Sequence, residues 1–157
     1  MTRVDGTELL CGAIWRRAHH LLEAEALCVV GYLHDGYPSA ALVLFFELSD
    51  EEAFLFHTMD DSRKALALGD EGFVSLTIGP ARSGVETLQV EGLAARTHDD
   101  RHRSHAIATA DRKTGRYGSA YLYSRRSILY RVEPTWMRYS RYPSEQMPGE
   151  VYESPLP

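Results

Sequence analysis

Leu27-Cys-Val-Val-Gly-Tyr-Leu33, then His34-Asp-Gly36, then Ser39-Ala-Ala-Leu-Val-Leu-Phe-Phe46: two apolar runs of strand length flank a turn signal. An Asp-Gly pair between such runs suits the positive φ angles of a tight hairpin turn. The segment is therefore expected to be an antiparallel hairpin, and the rest of the chain is read outward from it.

Toward the C-terminus, Ser49-Asp-Glu-Glu52 interrupts the apolar pattern and Ala53-Phe-Leu-Phe-His-Thr58 resumes it as a third strand. A short helix is expected from Ser62 to Leu68, closed by Gly69. Phe73-Val-Ser-Leu-Thr-Ile78 alternates as a strand should, residues 79–86 form a Gly-, Pro- and Ser-rich loop, and Thr87 to Ala95 makes a fifth strand. In the other direction, Asp5 and Glu8 have capping-box spacing, and Leu10, Ile14, Ala18, Leu21 and Leu22 recur on one helical face. An N-terminal helix within residues 1–25 follows. Asp99 to about Ala110 is polar with sparse apolar positions, the pattern of an exposed helix, whereas residues 111–126 match neither template. Ser127 to Glu133 and Trp136 to Tyr139, separated at Pro134, read as a last strand pair before a Pro-rich tail over 143–157. Six or seven strands with only short helices between them suggest an α+β domain or a helix-decorated barrel.

The 157 residues, 44% of them hydrophobic, fit one domain with one core, and no composition shift divides them. A net charge of −5 with mixed signs lacks the concentrated basic face that nucleic-acid binding needs. Arg16 and Arg17 interrupt the place where a signal peptide would carry its apolar run, and no stretch has membrane-spanning length. A soluble cytoplasmic protein without membrane contact is expected. Cys11 and Cys28 have neither metal-ligand nor disulfide-framework spacing and read as buried reduced thiols.

One local oddity bears on function. In Phe56-His-Thr-Met-Asp-Asp-Ser-Arg-Lys-Ala-Leu-Ala-Leu68, Ser62 is a good N-cap, which places Arg63 and Lys64 at the helix end that disfavours cations. Two explanations stand side by side. Asp60 and Asp61 could neutralise the pair in a solvated turn, or a bound phosphate could satisfy the cations and the free backbone amides together. The chain has neither a Walker loop nor Gly-x-Gly-x-x-Gly, which disfavours ATP and a Rossmann-bound dinucleotide.

Taken in order, the hairpin, Phe-His-Thr-x-x-x-Ser-Arg-Lys-Ala (56–65), Val-Ser-Leu-Thr (74–77) and Leu-Gln-Val-Glu-Gly (88–92) resemble the pyridoxamine 5'-phosphate oxidase family of FMN-binding split β-barrels. The resemblance covers residues 25–97 well and extends less clearly to about 140. It implies a mainly β fold with flanking helices, a split barrel of about six or seven antiparallel strands. It also implies FMN as cofactor, held between the subunits of a homodimer. Arg63 and Lys64 fall on the family's phosphate ligands with Ser62 beside them. His57 and Thr58 fall on the strand-end pair touching the flavin, Gln89 on a glutamine that contacts FMN, and Leu42 to Phe46, with Val43 and Leu44 as the cofactor-binding pair, on the strand whose backbone runs along the ring. The chain departs from the family at Leu42-Val-Leu-Phe-Phe-Glu47, where an arginine and a substrate-binding lysine are missing and Glu47 would repel a substrate phosphate. The C-terminal Arg-Leu-His-Asp-Arg signature is also absent. A small-molecule substrate other than pyridoxamine phosphate is implied.

A flavin performs the redox chemistry itself, so no side chain is assigned as catalytic. The resemblance leaves two alternatives to an FMN oxidoreductase. One is a split barrel for F420 or haem, with His57 the nearest iron ligand, and the other is a non-enzymatic flavin-binding or sensor protein. His98, His102 and His105 share a helical spacing but, with Arg101 and Arg103 interleaved, read as a solvated face, so no metal site is assigned; His19-His20 reads likewise. The tyrosines of the C-terminal third read as core or interface packing.

Overall fold

The computed structural model describes residues 11–80, 86–142 and 149–154. Leu27–His34 (β1) and Tyr37–Leu48 (β2) form the hairpin, with His34 opposite Tyr37 and Leu27 opposite Leu44. Asp35 at φ 51° and Gly36 at φ 78° supply the two left-handed residues of the turn. Ala53–Met59 (β3), Glu71–Ile78 (β4), Glu86–Thr97 (β5), Ser127–Arg141 (β6) and Glu150–Glu153 (β7) complete one sheet in the order β3-β2-β1-β4-β5-β6-β7. Pairing of β3 with β6 closes the first six strands into an antiparallel barrel, and β7 is appended to the far half of β6.

Inward positions at period two fill the barrel: Val30, Phe45, Phe54, Phe56, Leu76, Ile78, Leu88, Val90 and Met137 are all buried. Two helices join this core. Cys11–Ala24 (α1) inserts Ile14, Ala18, Leu21 and Leu22, the described part of the stripe read from the sequence, and packs Trp15 tilted against Phe54 at 4.3 Å between centroids. Arg63–Leu68 (α2) buries Ala65 and Leu68, and the Tyr130 hydroxyl donates to Gly69 O at its end (2.5 Å). A second apolar cluster lies outside the barrel wall. There Phe46, Leu48, Ala53, Leu55 and Leu129 are covered by Ala106 and Ala110 of Asp100–Thr114 (α3) and by Leu122.

Four readings are corrected. α3 runs to Thr114 and is not an exposed helix; its contact face consists of His102, Ala106, Thr109 and Ala110, too small or polar to register as an apolar stripe. The ambiguous stretch contains the end of α3, Arg116–Ala120 (α4) and a 3-10 turn over Tyr121–Tyr123. The last strand pair is one strand: Pro134 sits opposite Gly92 at a register shift between Glu91 and Gly92, and an irregularity is where a ladder tolerates a residue without an N–H. The Pro-rich tail contains β7, tied to β6 by Arg138–Glu153 and Arg141–Glu150 ion pairs. Asp5, Glu8 and Leu10 lie outside the described residues.

Candidate functional site

β2 and β3 part company beyond the Phe45–Phe56 pair. Thr58 and Met59 pair with Ile128 and Ser127 of β6, while β2 from Leu44 back toward the hairpin pairs only with β1. The split opens the β3-facing backbone edge of Val43 and Leu44 beside His57 and Thr58. α2 begins at the same place. Ser62 N–H donates to Met59 O (3.0 Å), Ala65 N–H donates to Ser62 Oγ (3.2 Å), and Thr58 Oγ1 lies 2.8 Å from Ser62 Oγ. One split therefore gathers Val43, Leu44, His57, Thr58, Ser62, Arg63 and Lys64.

The charges there decide between the two explanations of the helix start. Asp60 and Asp61 both pair with Arg126, at 3.0 Å for Asp60, and Asp60 N–H donates to Arg126 O (2.9 Å). The reading in which these aspartates neutralise Arg63 and Lys64 is thus corrected. Among the described residues neither Arg63 nor Lys64 forms an ion pair, although burial of Lys64 pushes its pKa below the ordinary value. The backbone amides of Arg63 and Lys64 also lack intrahelical acceptors, as the first helical residues must. Two cations, without an ion-pair partner among the described residues, and two amides thus stand at one helix start.

Thr58 and His57 project to opposite faces of β3. His57 lies on the outer side of β3 near Arg103 of α3, and its Nε2 is buried without a hydrogen-bond partner. Burial first, then the charges of Arg103 and Lys64, lower its pKa to about 4, so the ring is neutral at ordinary pH. Arg103 is fixed by donating to Leu122 O (2.7 Å) and Ser127 O (3.0 Å). The Val43 side chain points into the core and Leu44 packs on the outer cluster, so these two face the split with their backbone.

Gln89 is not brought to this split. It pairs with Arg138 of β6, whereas Thr58 pairs with Ile128, and the intervening strand corresponds to a separation on the order of 30 Å. Leu42, Val29, Thr77, Gln89 and Arg138 instead form one outward row across β2-β1-β4-β5-β6. Its apolar end is bare, with Leu42 63% and Val29 41% exposed. Its polar end borders a cavity of about 450 Å³ lined by Thr77, Thr87, Gln89, Arg138 and Ser140 from the barrel and by Glu150 and Val151 of β7.

Two further readings change. Glu47 does not face a substrate: it is buried against Lys113 Nζ (3.0 Å), which also donates to Leu22 O and Glu25 O at the end of α1. The solvated-face reading fails for His102, which is buried with Nδ1 2.8 Å from Thr97 Oγ1 and Nε2 3.0 Å from Glu51 Oε1. His98 is exposed, and His105 reaches Glu47 O (2.7 Å). Arg126 was missed and Arg103 was read only as part of a solvated face, since Arg126 reaches α2 only through the β3–β6 pairing and Arg103 of α3 is drawn in by Leu122 O and Ser127 O. Among the described residues, no helix is long and apolar enough to cross a membrane.

A six-stranded antiparallel barrel with its wall parted at a cationic helix start defines the split-barrel class. The chain belongs to the pyridoxamine 5'-phosphate oxidase family, whose model, described as pyridoxamine 5'-phosphate oxidase, matches residues 14–141. A comparison with curated proteins finds no match. Solved structures share the fold. General stress protein 26 from Bacillus anthracis superposes with a TM-score of 0.64 at 15% identity, over 80% of this chain and 92% of that one. The haem storage protein HutZ from Vibrio cholerae gives 0.63 at 13%, over 76% and 88%. PhzG from Burkholderia lata, solved with tetrahydrophenazine-1-carboxylic acid, gives 0.58 at 20%, over 98% and 95%.

Proposed function

We propose that this protein is an FMN-dependent oxidoreductase that works as a homodimer on a small molecule other than pyridoxamine phosphate. The observation that carries the reading is the pair Arg63 and Lys64, left without a counter-ion at the split while their neighbouring aspartates are committed to Arg126. The residues fit the group. Arg63, Lys64, their amides and the Thr58 and Ser62 hydroxyls would hold the phosphate, and the open backbone of Val43 and Leu44 would meet the polar edge of the ring. When bound, the flavin supplies the hydride or electron transfer. His57, held neutral, adds no further positive charge beside Lys64. Gln89 lies too far from the split in the same chain, so its contact with the cofactor would come from a second copy, for which the bare Val29 and Leu42 face is suited.

A haem reading rests on His57, and its burial near the charge of Arg103 speaks against that role. Leu42 and Glu47 stand where the family's arginine and substrate-binding lysine would fall, and neither binds an anion, Glu47 being committed to Lys113, which supports a substrate without the family's phosphate. Titrating purified protein with FMN, followed by flavin fluorescence, tests the reading. Saturable binding is expected, weakened about 100-fold in Arg63→Gln/Lys64→Gln, the loss of two charge-assisted contacts. Circular dichroism should show the variant folded. Absence of binding, or unchanged affinity in the folded variant, rejects the proposal.

A further inference from the structure

Met59, Asp60, Asp61 and Ser62 form a turn closed by Ser62 N–H donating to Met59 O (3.0 Å), and Arg63 follows it directly. The two central carboxylates are thus tethered within two to four residues of Arg63 and Lys64, near enough to neutralise both if nothing else claimed them. Arg126 claims them. Its Nε donates to Asp60 Oδ1 (3.0 Å) and its Nη2 to Asp61, so one guanidinium bridges both carboxylates. The backbone fixes the bridge in place. Asp60 N–H donates to Arg126 O (2.9 Å), one step beyond the Met59–Ser127 pair of β3 and β6, and Arg126 N–H donates to Ser124 Oγ (3.2 Å).

We propose that Arg126 is a positioning residue for the cofactor phosphate: by holding Asp60 and Asp61 it keeps Arg63 and Lys64 open to a dianion, and so sets the preference for a phosphorylated over an unphosphorylated flavin. The reasoning is one of competition. Without the Arg126 charge, the turn and the helix start carry two anions and two cations, and an arriving phosphate must displace carboxylates tethered beside its own ligands. With it, the aspartates face a cation on another strand and the pair at the helix start keeps its charge. Exposed ion pairs of this kind add little stability in themselves. What the bridge changes is which cations the carboxylates face. Lys64 gains most from this, since it is half-buried and forms no ion pair among the described residues.

The inference rests on the flavin reading above and adds to it a residue that acts only through the two aspartates. Because Arg126 reaches the turn through the pairing of β6 with β3, closing the barrel and freeing the phosphate ligands are one event.

The test titrates FMN, and riboflavin, which lacks the phosphate, into the full chain and follows flavin fluorescence. Inorganic phosphate is titrated separately and followed by the amide shifts of Arg63, Lys64 and Ala65. Arg126→Gln, which keeps the backbone bond to Asp60 and should stay folded by circular dichroism, is expected to bind FMN about ten-fold more weakly, the scale of two exposed ion pairs. Its riboflavin affinity should be unchanged. The deciding variant is Asp60→Asn/Asp61→Asn/Arg126→Gln, in which no carboxylate remains to be held. It should bind FMN about as tightly as the unaltered chain, whereas a merely structural role for Arg126 would leave the weakened affinity in place. If the unaltered chain binds FMN and Arg126→Gln binds it equally well, if riboflavin weakens in parallel, or if the triple variant stays weak, the inference falls and the flavin reading stands. If the chain takes up inorganic phosphate but no FMN, the flavin reading falls, and the same loss and recovery measured with phosphate uphold the role of Arg126. Binding of neither overturns both.

Discussion

His57 shows what a single residue contributes when burial overrides its ordinary chemistry. Its pKa of about 4 in the folded chain lies below the 6.5 of a free imidazole. Between those values the unfolded chain takes up a proton that the native ring refuses. Stability from this group is therefore complete above about pH 6.5 and declines as pH falls, by on the order of 3 kcal/mol near pH 4. Denaturant midpoints of the FMN-free protein at pH 7 and pH 4.5 should differ clearly, and His57→Gln should shrink the difference. A residual slope will persist below about pH 4.5, because hydrogen bonds from His102 and Arg131 hold the Glu51 carboxyl below its usual range, and that contribution too is lost on acidification. An unaltered pH dependence in the variant would show that His57 is solvated in the native state. Ser62, Arg63 and Lys64 were legible in sequence because a cap and the cations after it are local features. Arg126 and Arg103, which respectively commit the aspartates and crowd His57, were not, since no spacing relates residue 126 to residue 60 before the barrel closes.

Among the elements, α3 was the least legible. Helix packing is normally announced by large apolar residues at every third or fourth position, and this helix attaches through alanines, a buried histidine and a lysine. Lys113 is the tie: its ammonium joins Glu47 of β2 to the carbonyls of Leu22 and Glu25 at the end of α1. With both partners nearly enclosed, Lys113→Met leaves the buried Glu47 facing only the exposed Arg112 at 3.9 Å, and a destabilisation of about 3 kcal/mol is expected by thermal unfolding. Glu47→Leu/Lys113→Met should regain much of that loss, because removing both charges also removes the desolvation penalty. If the single and double variants melt alike, the ion pair is not what anchors the helix. β6 shows the opposite failure of legibility. Pro134 looked like a strand end, yet the strand continues through it, and Gly92 opposite leaves room where an added Cβ would lie 2.3 Å from Glu133 O.

On the scale of the molecule, alternation, the Asp-Gly turn and the α1 stripe were enough to anticipate an antiparallel, helix-flanked sheet. Strand count left a barrel as one of two alternatives and the resemblance chose it; no local pattern could, because closure depends on β3 meeting β6 across about seventy residues of chain. The site divided likewise: the resemblance named its residues, but only the register shows that Gln89 and the split lie far apart on one chain. That division predicts an obligatory second copy for cofactor binding. Leu42→Arg, on the bare outward row and away from the phosphate residues, should shift the mass measured by light scattering from dimer to monomer and weaken FMN binding with it. A dimer that persists with full FMN affinity would place the subunit contact elsewhere.

Among the described residues, β6 is the one strand that pairs with three others. During synthesis, β3 and β5 must both wait for it, each with one edge of backbone donors and acceptors open to any passing strand. Everything up to residue 126 can leave the ribosome without a closed wall, so the nascent chain passes through a window in which pairing with the wrong partner competes with its own last long strand. The polar stretch from His98 to Arg126, which separates β5 from β6 in time as well as in space, sets the length of that window.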